Sequence, residues 1–131
     1  MRLLLDTNVA LSIGNGTESS YVAQLVNDPV NECYLSVVVL WEIAIKSSLG
    51  KIDIGLSLVE FTDAFADRGY PILTVQPKHI YALETLPLIH KDPFDRLLVA
   101  QAQREDMVLL TTDSLLSKYG SNIKQVEKIK E

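Results

Sequence analysis

Three successive leucines, Leu3-Leu4-Leu5, halted by the carboxylate of Asp6, constrain this chain more than any other feature. A strand with one wet face alternates apolar and polar residues. A strand with no polar position must be covered on both faces, which is the habit of parallel sheets. Parallel strands cannot be joined by tight hairpins, so helices must carry the chain from one to the next.

The remaining sequence supplies both kinds of element. Cys33-Tyr34-Leu35, Tyr70 to Val75 and Met107 to Leu110 read as strands, and Ile123 to Ile129 offers a last one. Tyr21, Val22, Leu25 and Val26 mark a helical stripe closed by Asp28-Pro29. Ser36 suits the cap of a helix from about Val37 to Ser48, with Gly50 near its end. Ser57 and Glu60 have capping-box spacing ahead of Leu58, Phe61 and Phe65, and Gly69 stops that helix. Pro77 opens a short helix through Ile80 and Leu83, ended by Leu86-Pro87, and Asp92-Pro93 is a strong start for one carrying Phe94, Leu97, Leu98 and Ala102. Asp6-Thr7-Asn8 reads as a turn leading to a loop from Gly14 to Ser20, and Thr111 to Ser114 as a turn into a short helix. With right-handed crossovers the outcome is a three-layer α/β sandwich around a parallel sheet of four or five strands.

At 131 residues the chain has room for one domain, 1–131, and with 47% hydrophobic residues it can form a core without disulfides or structural metal. Cys33 is the only cysteine, and His79 and His90 the only histidines, so a metal bound here must be held by oxygen. Twelve basic residues against seventeen acidic ones leave a net charge of −5 and no basic block. That argues against a tail or patch gripping nucleic acid by counterion release alone, though not against an enzyme whose acidic centre supplies the excess. The amino terminus meets Asp6 too soon for a signal peptide, and Tyr34 to Ile45, interrupted by Ser36 and Glu42, falls short of the ~20 residues of a membrane span. The expectation is a soluble, cytoplasmic protein.

Four carboxylates stand out, each with a plain structural explanation. Asp6 follows a strand and can close a turn; Asp113 also follows a strand and can cap the next helix. Glu42 lies in a very apolar helix, where an ion pair with Lys46 would account for it. Asp92 suits the cap of its helix, while Asp95, three residues on, complements the helix dipole. As a set they say more. Parallel sheets bind ligands beyond the carboxyl ends of their strands, where Asp6 and Asp113 fall, and Asp95 and Glu42 can reach the same place from neighbouring helices. Carboxylates gathered there repel one another, and a hard divalent cation such as Mg²⁺ or Mn²⁺ relieves that repulsion. Such ions serve phosphoryl chemistry.

With Leu3-Leu4-Leu5-Asp6-Thr7-Asn8, Ser36 followed by Trp41-Glu42-Ile43-Ala44-Ile45-Lys46, His90 through Ala102, and Leu109-Leu110-Thr111-Thr112-Asp113, the chain resembles PIN-domain ribonucleases of the kind found as toxins in VapBC-type toxin–antitoxin pairs. The resemblance implies an endoribonuclease dependent on Mg²⁺ or Mn²⁺, with Asp6, Glu42, Asp95 and Asp113 as its acidic cluster. Asn8 and Thr111 would orient ligands or water. It also implies homodimers and inhibition by a small DNA-binding antitoxin. His90 could touch a phosphate but reads more readily as an incidental loop residue. Arg96 could balance charge, hold RNA backbone or form a surface ion pair. Lys46, Lys51 and Lys91 could neutralise phosphates, and Trp41 reads as core or dimer packing rather than a base-stacking platform. Two other readings stay open: aspartyl-phosphate chemistry on Asp6, of the phosphatase or receiver kind, and a catalytically silent PIN-like binding module.

Overall fold

Helix formation begins one residue after the leucine run. The structure, a computed structural model describing residues 1–127, places β1 at Arg2–Leu5 and α1 at Thr7–Asn15, with Asp6 between them as the helix cap. The sequence reading of a turn here is corrected. Thr, Asn, Val, Ser and Gly are weak helix formers, so local propensity favours a turn. Burial of Val9, Ala10 and Ile13 against the sheet overrides it. The helix ends at Gly16, which takes a left-handed conformation (φ 70°) and donates its N–H to the last turn.

The other helices are α2 (Ser20–Asn27), α3 (Val37–Ser48), α4 (Leu58–Asp67), α5 (Pro77–Leu83) and α6 (Pro93–Glu105), and a 3₁₀ turn spans Leu116–Tyr119. Their starts follow the signals in the sequence. Ser36 caps α3, Ser57 and Glu60 close a capping box on α4, and Asp92 caps α6 with Pro93 in its first turn.

Strands β2 (Glu32–Ser36), β3 (Ile72–Leu73), β4 (Val108–Thr111) and β5 (Ile123–Gln125) join β1 in one sheet of order β3-β2-β1-β4-β5, every pair parallel. Right-handed crossovers put α1 to α4 over one face and α5 and α6 over the other. The expected three-layer α/β architecture with five strands is therefore present. β3 is far shorter than the Tyr70–Val75 expected. Its partner β2 turns into α3 at Val37, so nothing remains to pair beyond Leu73. β5 stops at Gln125, and the end of the strand expected to reach Ile129 lies outside the described residues.

Leu3, Leu4 and Leu5 have no exposed surface, nor do Leu109 and Leu110 beside them. β1 and β4 are thus the centre of the core. They are also where the strand order reverses: from β1 the chain moves toward β2 and β3, from β4 toward β5. A crevice opens beyond the carboxyl ends of two such strands.

Candidate functional site

That crevice is acidic. A small pocket of about 90 Å³ is lined by Asp6, Thr7, Asn8, Glu42, Lys46, Asp92, Asp95 and Asp113. Five carboxylates thus meet one ammonium. The four acids singled out in the sequence are brought together, with Asn8 at the rim and Thr111 beneath.

Asp6 is only 4% exposed. Its backbone N–H pairs with the Leu110 carbonyl at 3.0 Å, continuing the ladder between β1 and β4, so its side chain is fixed at the strand end. One carboxyl oxygen accepts the Val9 N–H at 2.9 Å and the other the Thr111 hydroxyl. Burial pushes this carboxyl up to about 6, against the pull of those hydrogen bonds, and Glu42 adds a further upward push. Thr111, fully buried, acts on the pocket through two of its acids, donating to Asp6 and accepting the Asp113 N–H at 3.0 Å.

Glu42 is equally buried, reaching inward from α3. It accepts the Thr7 hydroxyl on one oxygen and the Lys46 ammonium on the other. The ion pair with Lys46 considered from spacing is present, and it holds the lysine above its ordinary pKa. It does not remove Glu42 from the pocket.

Asp95 stands in the first turn of α6, and Asp92 accepts the N–H groups of Phe94 (2.8 Å) and Asp95 (3.1 Å). Asp92 is therefore the cap, as its position suggests. The Asp95 side chain has no such employment. Burial, then the nearby charges of Asp92, Asp6 and Glu42, push its carboxyl up to about 7, with His90 pulling the other way. Asp113 is more open; one oxygen accepts the Leu115 N–H at 2.8 Å.

The expectation that His90 is incidental is corrected. Its Nε2 lies 2.8 Å from an oxygen of Asp113 and 3.4 Å from one of Asp95, and Nδ1 is 3.0 Å from the Asp92 N–H. The ring closes one side of the site. The signal was present as a histidine two residues before a capping aspartate, but its reach to Asp113, 23 positions away, is a product of the fold.

Arg96 makes no ion pair among the described residues. Its guanidinium donates to the carbonyls of Pro87 (2.9 Å), Leu86 and His90 and to the Tyr119 hydroxyl, strapping the segment before α6. Trp41 is not core: it is 52% exposed on the outer side of α3 and packs edge-on against Phe94, ring centres 4.8 Å apart. Residues Val38, Val39, Glu42 and Ile43 occupy the inward side. Lys51 and Lys91 are exposed and do not line the pocket.

Sequence reasoning also passed over a second polar cluster. His79 is fully buried, with Nε2 2.7 Å from Glu105, which also receives Lys78 at 2.8 Å. Gln101 beside it accepts from Ser36 at 2.6 Å and donates to the Thr74 carbonyl.

The sequence matches the PIN domain family over residues 3–122. No curated protein matches it. Among solved structures it is similar to VapBC2 from Rickettsia felis bound to a DNA fragment from their promoter (TM-score 0.72, 20% identity, covering 97% of this chain and 100% of that one). It is also similar to a toxin–antitoxin complex from Klebsiella pneumoniae (0.66, 17%, 95% and 98%) and to PAE2754 from Pyrobaculum aerophilum (0.61, 13%, 94% and 83%).

Proposed function

Because the chain belongs to the PIN domain family, we propose that its acidic pocket holds Mg²⁺ or Mn²⁺ and cleaves RNA phosphodiester bonds, as the toxin of a toxin–antitoxin pair. The observation that carries this reading is the imbalance of the pocket. Asp6, Glu42, Asp92, Asp95 and Asp113 face a single cation, Lys46, which Glu42 already engages. Buried carboxylates are stable only when something positive meets them. Two of these, Asp6 and Asp95, are pushed far above the usual carboxylate range instead. An all-oxygen donor set of this kind suits a small, hard divalent ion.

Asp6 and Asp95 are the principal ligands in this reading, with Glu42 and Asp113 completing the set. When bound, the ion makes a water molecule more acidic and neutralises charge on the phosphate. The protein's own part is to fix the oxygens. Thr111 and the Val9 N–H hold Asp6, Thr7 and Lys46 hold Glu42, and the cap at Asp92 sets the first turn of α6 on which Asp95 stands. Asn8, whose amide is exposed at the rim, is placed to orient water or a phosphate oxygen.

The solved structures similar to this chain include VapBC2 on its promoter DNA and one described as a toxin–antitoxin complex, which supports an antitoxin as its partner. A homodimer and a cytoplasmic site of action complete the reading. No helix of the described residues is long and apolar enough to cross a membrane.

The test is cleavage of a single-stranded RNA by purified protein. Activity should require Mg²⁺ or Mn²⁺, vanish with a chelator, and be lost in Asp6→Asn while circular dichroism shows an intact fold. Cleavage that survives both treatments overturns the proposal.

A further inference from the structure

We propose that His90 is a positioning residue of the pocket: a fixed Nε2–H donor that holds Asp113 and Asp95 in place and is not itself a metal ligand. The inference rests on the reading of the pocket as a cation site.

Distance alone would suggest the opposite. His90, Asp95 and Asp113 each offer a ligand atom, all within 4.8 Å of one another, so the three could grip an ion together. The other nitrogen of the ring decides against it. A ligating histidine leaves a lone pair on the nitrogen facing the metal and carries its proton on the far one, which donates outward to a carboxylate or carbonyl. Here the far nitrogen, Nδ1, faces a donor, the Asp92 N–H, at 3.0 Å. A proton on Nδ1 would set two N–H groups against each other. Nδ1 is therefore the acceptor and the ring proton sits on Nε2, aimed at Asp113 (2.8 Å) and Asp95 (3.4 Å). Turning the ring over would forfeit both contacts.

The loop bearing His90 is held as a designed part is held. Its N–H donates to the Tyr119 hydroxyl at 2.9 Å, as does that of Ile89, and its carbonyl accepts from Arg96, which also donates to Tyr119. An incidental loop residue has no need of a guanidinium and a phenol to fix its backbone. Partners outside the ligand set that orient ligating carboxylates commonly govern metal affinity by about 10–100-fold. His90 stands in that relation to two of the four acids.

His79 supplies an internal reference. Its Nδ1 accepts the Gln76 N–H at 3.0 Å and its Nε2 faces Glu105, the same arrangement far from the pocket. The experiment is a long-range ¹H–¹⁵N spectrum of the full chain, metal-free and with Mg²⁺, at about pH 8 where an ordinary imidazole is neutral; its two histidines are assigned with His79→Gln. Alongside it, calorimetry measures Mg²⁺ and Mn²⁺ binding to the parent, His90→Ala and His90→Gln. Both rings should carry the proton on Nε2, and His90 should keep it there when Mg²⁺ is added. His90→Ala should weaken both ions by a similar factor of about 10, and Gln, which restores an N–H donor, should recover most of it. A His90 that surrenders the Nε2 proton to Mg²⁺, or carries its proton on Nδ1, overturns the inference. So does a loss confined to Mn²⁺ without rescue by Gln, or an alanine variant that binds as the parent does. If the parent binds neither ion, the cation reading of the pocket is what fails, and the ring-proton spectrum still decides the tautomer claimed for His90.

Discussion

Two polar clusters, one at the first turn of α6 and one involving Gln101 and Glu105 in its second half, behave in opposite ways. Around His79, every charge has an answer: Glu105 receives Lys78 and the imidazole, and Gln101 bridges Ser36 and Thr74. Lys78 first, then His79, hold the Glu105 carboxyl below its ordinary value. In the pocket at the ends of β1 and β4, Asp6 and Asp95 are pushed to about 6 and about 7. A satisfied cluster locks helices together; an unsatisfied one stores repulsion that a ligand can relieve. Strongly shifted groups in a cleft are therefore the better guide to function than buried polarity as such.

Catalysis gives the largest contrast. Asp95→Asn should lower metal-dependent RNA cleavage by about 10²–10³-fold, whereas His79→Gln should leave the rate per folded molecule near that of the parent. A variant at position 79 that folds fully but cuts no RNA would dissolve the distinction.

Stability should reverse the order. His79→Leu strips the Gln76 N–H of its acceptor and leaves Glu105 with Lys78 alone, and should cost about 1–3 kcal/mol in urea unfolding. Asp95→Asn should instead stabilise the metal-free chain near pH 8, by up to about 2 kcal/mol. The sign follows from the raised pKa. Between about pH 4 and 7 the folded chain binds more protons than the unfolded one, so its stability falls as pH rises through that window. The melting temperature of the metal-free parent should decline accordingly from pH 4 to above 7, and Asp95→Asn should flatten part of that slope. A parent whose stability rises across the same window would show that the carboxylates are not strained.

Manganese should offer the smallest of these effects. About 1 mM Mn²⁺ should raise the melting temperature of the parent through preferential binding to the folded state. The rise should be larger near pH 8 than near pH 5, where protons compete for the same oxygens, and should be absent in Asp6→Asn. Equal rises in parent and variant would place the ion elsewhere.

Much of this was legible in the sequence, because it depends on short-range pattern. The leucine run marked the central strand, Ser36, Ser57 with Glu60, and Asp92-Pro93 marked three helix starts, and strand ends located Asp6 and Asp113. What was illegible depends on packing between distant segments. α1 has poor intrinsic propensity and exists because Val9, Ala10 and Ile13 are buried by the sheet. β3 is cut short by the turn of its neighbour into α3. His90 and Arg96 sit six positions apart, yet their roles come from Asp113 and Tyr119, which the fold alone brings within reach. Trp41 resembles a core residue in composition, and only its phase on α3 turns it outward.

The central claim is that Asp6 and Asp95 share a divalent cation. Crystals soaked in Mn²⁺ and measured at the manganese absorption edge test it most directly. An anomalous peak about 2.0–2.3 Å from oxygens of both residues, absent from Asp6→Asn crystals, is the predicted result. Full-occupancy manganese elsewhere on the surface, with the pocket holding only water, would contradict the account.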